Sequence, residues 1–140
     1  MLTVPSILGG GGTRLFLMYT IPLSVISSID GGAGADIILG GADNDNIDGG
    51  TEADKIDGEA GDDIIVGGYG DDTLTGGSGD DSLYGEAGND TFFASNTTDG
   101  SDVIDGGTEV DTLDYSSITS GTDYVDVNFQ TNSAKIYDST

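Results

Sequence analysis

A nine-residue period runs unbroken over residues 31–93, and it restricts the chain to folds made by stacking one small unit on the next. The seven units read GGAGADIIL, GGADNDNID, GGTEADKID, GEAGDDIIV, GGYGDDTLT, GGSGDDSLY and GEAGNDTFF. Position one is Gly in every unit, and position six is Asp: Asp36, Asp45, Asp54, Asp63, Asp72, Asp81 and Asp90. Position eight is always apolar: Ile38, Ile47, Ile56, Ile65, Leu74, Leu83 and Phe92. Beyond a three-residue insertion (94–96), two looser units, TTDGSDVID and GGTEVDTLD, carry Asp102 with Ile104 and Asp111 with Leu113 in the same slots.

Each unit divides into a six-residue turn and a three-residue strand. The turn is rich in Gly because successive residues must enter φ > 0, where a Cβ is penalised. At position four, Asp43 tolerates that geometry better than Glu52 does. In the strand only the middle residue points inward, because side chains alternate. Two units then make an 18-residue coil with one strand in each of two facing parallel sheets, and units i and i+2 stack about 4.8 Å apart. The expected fold is all-β, a β-solenoid whose open ends need capping strands. Stacking places Asp36, Asp54, Asp72 and Asp90 along one edge, and Asp45, Asp63 and Asp81 along the other. Neighbouring bare carboxylates repel by about 1 kcal/mol in water and by more where desolvated. A divalent cation between the rungs removes that repulsion.

Composition narrows which cation. The chain has 26 acidic residues against three basic ones, for a net charge of −23. Nucleic acid needs a basic footprint and is excluded as a partner, and anionic membranes are disfavoured for the same reason. Without Cys or His there is no thiolate site, no disulfide framework and no imidazole base or ligand. Hard oxygen donors remain, which suit calcium, magnesium or manganese.

Three regions follow: residues 1–30 as an amino-terminal segment, 31–114 as the repeat domain, and 115–140 as a cap. GGGGTR near the start lacks the Lys-Ser/Thr pair of a phosphate loop and reads as a linker. The apolar run 15–26 is too short to span a bilayer, which takes about 20 residues. It reads as capping strands, with the core of a signal peptide flanked by Arg14 as the alternative. At the other end, segments 124–129 and 134–137 around Thr131-Asn132-Ser133 predict a capping hairpin that partly buries Val125, Val127, Phe129 and Ile136.

The nonapeptide resembles the repeats-in-toxin (RTX) repeat GGxGxDxUx, closely over 31–93 and loosely over 97–114. That resemblance implies a right-handed parallel β-roll with calcium held between turns i and i+2. By position it implies Asp36, Asp45, Asp54, Asp63, Asp72, Asp81 and Asp90 as carboxylate ligands. Backbone carbonyls would come from the turns beginning at Gly31, Gly40, Gly49, Gly58, Gly67, Gly76 and Gly85. Seven contiguous units imply about five calcium ions, and Asp102 and Asp111 raise this to seven if the insertion bulges out of the stack. The units with Glu59 or Glu86 at position two, or Asp43, Glu52 or Glu109 at position four, match the pattern least well. The extra acids at position five, Asp62, Asp71 and Asp80, are expected to face solvent. The resemblance also implies a secreted or cell-surface bacterial protein leaving by type I secretion. The ending AKIYDST does not look like a secretion signal, so the expectation is a module cut from a longer protein.

Other chemistries fit less well. DNDNIDGG (43–50) puts Ile47 on an EF-hand ligand position, and no Glu closes the loop. Paired acids such as Asp71-Asp72 recur at the repeat period, which describes a lattice rather than a glycosidase site. Asn96-Thr97-Thr98 matches a glycosylation tripeptide, and such matches arise often by chance. The chain is therefore expected not to be an enzyme. The alternatives are an accessory or folding module beside a secreted protease, lipase or polysaccharide epimerase, or an adhesin module. The apolar outer pairs Ile37/Leu39 and Ile64/Val66 suggest cover by the amino-terminal segment or a neighbouring domain, or self-association.

Overall fold

A computed structural model of the chain describes residues 6–8, 11–13, 15–17, 27–94, 100–114, 116, 126–127 and 135–137, with side chains for 11–13, 28–94, 100–114 and 116. Among these residues there are fourteen strands and no helix. They are β1 (Ser6–Leu8), β2 (Leu15–Leu17), β3 (Ser27–Asp30), β4 (Ile37–Gly41), β5 (Asp45–Thr51), β6 (Lys55–Glu59) and β7 (Ile64–Tyr69). There follow β8 (Thr73–Thr75), β9 (Ser82–Ala87), β10 (Thr91–Phe93), β11 (Val103–Asp105), β12 (Thr112–Asp114), β13 (Asp126–Val127) and β14 (Lys135–Tyr137). No helix among the described residues is long and apolar enough to cross a membrane.

The chain alternates between two sheets. Odd-numbered strands form one seven-stranded sheet and even-numbered strands the other, each in sequence order and parallel throughout. This is a β-solenoid with 18 residues per coil: Ile38 pairs with Ile56 and Ile56 with Leu74, while Ile47 pairs with Ile65 and Ile65 with Leu83. Position eight points inward in every described unit. Ile29, Ile38, Ile47, Ile56, Ile65, Leu74, Leu83, Phe92, Ile104 and Leu113 are each at most 1 % exposed. Truncating one of these to Ala costs about 2–5 kcal/mol.

The insertion does not disturb this register. Beyond it Leu83 pairs with Ile104 and Phe92 with Leu113, so the two looser units continue the stack. Ala94 is buried; residues 95–99, which include the glycosylation tripeptide, lie outside the described residues.

Two expectations about the strands change. Several are longer than three residues, because pairing runs on into the following turn: Gly50 pairs with Gly68 and Gly68 with Glu86. Among the described residues the carboxy-terminal strands do not pair as a hairpin. β13 pairs in parallel with β11, and β14 in parallel with β12, so the two lie in different sheets. Val127 and Ile136 are nine residues apart, which is the interior period, and parallel addition covers the open edges of β11 and β12 that a hairpin would leave exposed. Val125 and Phe129 lie outside the described residues. At the other end β1 and β2 pair with β3 and β4; most of the apolar run 15–26 lies outside the description. The outer pairs Ile37/Leu39 and Ile64/Val66 fall on opposite sheets and do not share a face.

Candidate metal centre

Each position-six Asp sits where a Gly-rich turn meets a strand. All nine, from Asp36 to Asp111, are buried, none more than 8 % exposed. They form two columns. The turns that lead from odd to even strands carry Asp36, Asp54, Asp72, Asp90 and Asp111; the turns from even to odd strands carry Asp45, Asp63, Asp81 and Asp102. Within a column each backbone N–H donates to Oδ1 of the Asp one coil further on. The distances are 2.7 Å for Asp36 to Asp54, 2.7 Å for Asp45 to Asp63, and 2.8 Å for both Asp54 to Asp72 and Asp63 to Asp81. The pattern continues at 2.9 Å for Asp72 to Asp90, and crosses the insertion at 3.0 Å for Asp81 to Asp102 and Asp90 to Asp111.

Oδ1 is therefore occupied by the protein itself, and Oδ2 is the atom left over. In Asp54, Asp63, Asp72 and Asp90 it is buried with no hydrogen-bond partner. A buried carboxylate oxygen in that state is costly unless a cation or proton meets it. Position-one glycines leave room for one. A Cβ built on Gly49 would lie 2.6 Å from Asp54 Oδ2 and 2.7 Å from the Gly67 carbonyl oxygen. One on Gly40 would lie 2.8 Å from both Asp45 Oδ2 and the Gly58 carbonyl. The same pairing recurs at Gly58 with Asp63 Oδ2 and the Gly76 carbonyl, and at Gly85 with Asp90 Oδ2 and the Gly106 carbonyl. Each missing side chain thus opens a cradle where a carboxylate oxygen and a carbonyl from the next coil converge. Among the described residues no three acidic side chains gather at one point. A cation here must draw on backbone oxygens as well, and the donor set is hard, as calcium requires.

Electrostatics agree. Burial pushes the Asp54 carboxyl up to about 6, the neighbouring Asp72 and Asp36 adding to the rise and the Asp36 N–H opposing it. Burial likewise lifts Asp63 and Asp90 to about 7, and raises Asp72 and Asp111. These carboxylates lack a compensating positive charge.

Around the columns, the position-five acids Asp62, Asp71 and Asp80 are exposed. They still stitch coils together: Asp80 N–H donates to Asp62 Oδ1 at 3.0 Å and Asn89 N–H to Asp71 Oδ1 at 2.8 Å. Among the described residues the four non-glycine residues at positive φ are all Glu: Glu52 and Glu109 at position four, Glu59 and Glu86 at position two, with φ of 72–74°. Asp43 does not join them, contrary to expectation; its turn keeps the position-two positive φ common to the turns, at Gly41 (φ 125°), without one at position four.

Two devices escaped the sequence reading. Glu52 folds back to accept from Gly34 N–H and the Thr51 hydroxyl, both at 2.7 Å. Glu109 repeats this with Gly88 N–H at 3.0 Å and the Thr108 hydroxyl. The signal was the shared string GGTExD. Position-nine acids also cap the next turn: Asp57 Oδ1 accepts from Glu59 N–H at 3.0 Å, and Asp105 Oδ1 from Gly107 N–H at 3.2 Å. A strand ending in Asp-Gly was the cue.

A family model for the RTX calcium-binding nonapeptide repeat matches residues 27–56, 39–68, 57–92, 66–99 and 96–114. Together these matches run without a gap from 27 to 114, more than half of the chain, and the protein belongs to this family. It is an acidic repeat protein with the β-roll fold and a calcium-binding, structural rather than catalytic, type of repeat. A comparison with individual curated proteins gives no match.

Proposed function

We propose that the chain is an extracellular calcium-dependent folding module. Calcium is held between consecutive Asp of each column, at four gaps among the five Asp of the odd-to-even turns and three among the four of the even-to-odd turns. That makes seven ions: the five first expected plus the two that Asp102 and Asp111 add. The carboxylate ligands are Asp36, Asp45, Asp54, Asp63, Asp72, Asp81, Asp90, Asp102 and Asp111. Carbonyls of the turns that begin at the position-one glycines complete each site, Gly49, Gly58, Gly67, Gly76 and Gly106 being the ones whose oxygens meet a neighbouring cradle. Calcium supplies charge neutralisation and oxygen coordination. The residues themselves do the rest: glycines open the cradle, backbone N–H groups orient each carboxylate, and the stacked strands set the spacing.

The observation that carries this reading is the pair of in-register columns whose Oδ2 atoms, at Asp54, Asp63, Asp72 and Asp90, are buried without a partner. A narrow core of one side chain per strand makes ion binding a part of the folding free energy. Such a chain stays open for export where calcium is scarce and closes outside the cell, where it is abundant. It serves a secreted or surface protein as a rigid spacer beside whatever domain it accompanies. The test is a calcium titration followed by circular dichroism, with magnesium as control. A cooperative gain of β signal with calcium alone, at about seven ions per chain, is expected. Ordered structure in excess chelator that calcium leaves unchanged would refute the coupling.

A further inference from the structure

The outer faces of the two sheets differ in a way calcium does not explain. On the odd sheet one outward column runs Asp30, Asp48, Val66, Tyr84, Asp105 across five neighbouring strands. Beside it stand Ile64 and Val103, each 48 % exposed, on β7 and β11. Ser82 separates those two on β9, so the apolar centre is Val66 and Tyr84 side by side, flanked by Ile64 and Val103, with acids in the column on either side. On the even sheet the exposed Ile37 and Phe93 are separated by Lys55 and threonines. No Lys or Arg falls in an odd-numbered strand. Asp30 and Asp48 lie directly opposite one another. That end of the face sets two acids side by side, with no Lys or Arg on the neighbouring described strands of the sheet.

We propose that the outer face of the odd sheet docks a basic amphipathic helix of a partner protein, with its apolar centre on Val66 and Tyr84 and its cationic ends over Asp30–Asp48 and Asp105. The spacing suits a helix lying along the solenoid axis: it advances 5.4 Å per turn, against about 4.8 Å per strand. Roughly one side chain per turn then meets each strand, and about 13 residues cover the five strands. The column asks for base, base, apolar, apolar, base. A second copy of this chain is a poor occupant, because a two-fold pairing of this face sets acid against acid. Tyr84 at the centre is the residue type that anchors such interfaces.

The calcium-loaded chain is titrated with a fluorescent 16-residue Leu/Lys peptide in that order and with a scrambled peptide of the same composition. Tyr84→Ala and Val103→Asp should each weaken the ordered peptide at least tenfold, and Phe93→Asp on the even sheet less than twofold. The scrambled peptide should bind at least tenfold more weakly. Calcium-induced circular dichroism checks each variant, and Tyr84→Ala, which adds no charge, decides the matter if Val103→Asp fails to fold. Equal loss in all three variants, or none, reduces the binding to net charge and overturns the proposal. So does a concentration-dependent dimer that Val103→Asp abolishes, which assigns the face to a second copy. Binding to phosphatidylcholine vesicles that Val103→Asp abolishes while the peptide still binds overturns it in favour of a lipid surface.

Discussion

The two edges of the solenoid are built from one nonapeptide and obey different rules. On the odd-to-even edge each step between strand centres is nine residues, from Ile7 to Phe16 at one end to Val127 to Ile136 at the other. On the even-to-odd edge 13 residues separate Phe16 from Ile29, 12 separate Phe92 from Ile104 and 14 separate Leu113 from Val127. Backbone pairing explains the difference. Position-three residues of the odd-to-even turns pair from coil to coil without a gap: Ala33 with Thr51, Thr51 with Tyr69, Tyr69 with Ala87, Ala87 with Thr108. At the same position of the other edge the only pairing among described residues is Ala60 with Ser78. Where the ladder continues through the turn, turn length is locked at the nine-residue step. The locked edge also carries both Thr-Glu clasps, at the first and last gaps of its Asp column.

The sharpest way to break this contrast is to copy the natural insertion, Ala-Ser-Asn, to each edge in turn. Between Val66 and Gly67 it interrupts the pairing of Gly68 and Tyr69 with both neighbouring coils, several hydrogen bonds at about 1 kcal/mol each. The calcium midpoint for folding should rise more than tenfold. Between Thr75 and Gly76, where only the bridge of Ser78 to Ala60 on one side is interrupted, it should rise less than threefold. Equal midpoints would show that the edges are interchangeable.

Single acids come next in size. Asp72 borders two gaps of its column and Asp36 only one. Asp72→Ala should therefore remove two ions by isothermal titration calorimetry and Asp36→Ala one. At calcium a hundredfold above the site dissociation constant, each lost ion costs about 2.7 kcal/mol. In chelator the sign should reverse for Asp72→Ala, since a desolvated carboxyl is removed. A loss of stability as large without calcium as with it would mean that Asp72 is a structural residue and not a ligand.

Most of this architecture was legible in the residues. Gly at position one, Asp at six and an apolar residue at eight dictated the coil length, the inward column and the two Asp columns, because each slot has one physical job. Outside the repeat the jobs remain but the residues that advertise them do not. Val127 and Ile136 keep the nine-residue step without a Gly turn or an Asp, so local alternation suggested a hairpin. The edge asymmetry was hidden for a similar reason: it resides in backbone pairing at position three, which no side chain marks. Positive φ at Glu was equally hard to foresee, since propensity favours Asp43, which does not adopt it.

Acid offers a smaller test that both edges should answer alike. Asp54 and Asp90 on one edge and Asp63 on the other titrate in the fold at about 6, 7 and 7, against 3.8 as the ordinary carboxyl value. A raised folded value means that the metal-free fold holds protons the open chain releases. Its stability is therefore greatest below about pH 4, declines as pH rises towards 7, and is lost above that. Calcium must displace those protons, so its affinity runs the opposite way and the folding midpoint should fall as pH climbs from 5 to 8. Circular dichroism in chelator at pH 4 and pH 8 measures the first trend. A metal-free chain more ordered at pH 8 than at pH 4 would contradict it.

The smallest effect separates two uses of one residue type. Glu52 and Glu59 share a left-handed backbone, φ 73° in each, and both are exposed. Replacing either with Gly relieves about 1 kcal/mol of steric penalty and gives part of it back through a looser unfolded chain. The side chains then decide. Glu52 holds Gly34 N–H and the Thr51 hydroxyl, and these contacts keep its carboxyl below the usual range, the hydroxyl contributing most. The Glu59 carboxylate makes no such clasp among the described residues; its turn is held through its own N–H, bonded to Asp57. Glu59→Gly should accordingly leave the melting temperature in calcium unchanged or slightly higher, and Glu52→Gly should lower it. Because the clasp joins two coils of the locked edge, Glu52→Gly should also speed amide exchange at Gly34 while leaving Gly61 unaffected. Matching shifts for the two variants would reduce Glu52 to a strained glycine substitute and remove the clasp from the account of why that edge admits no insertion.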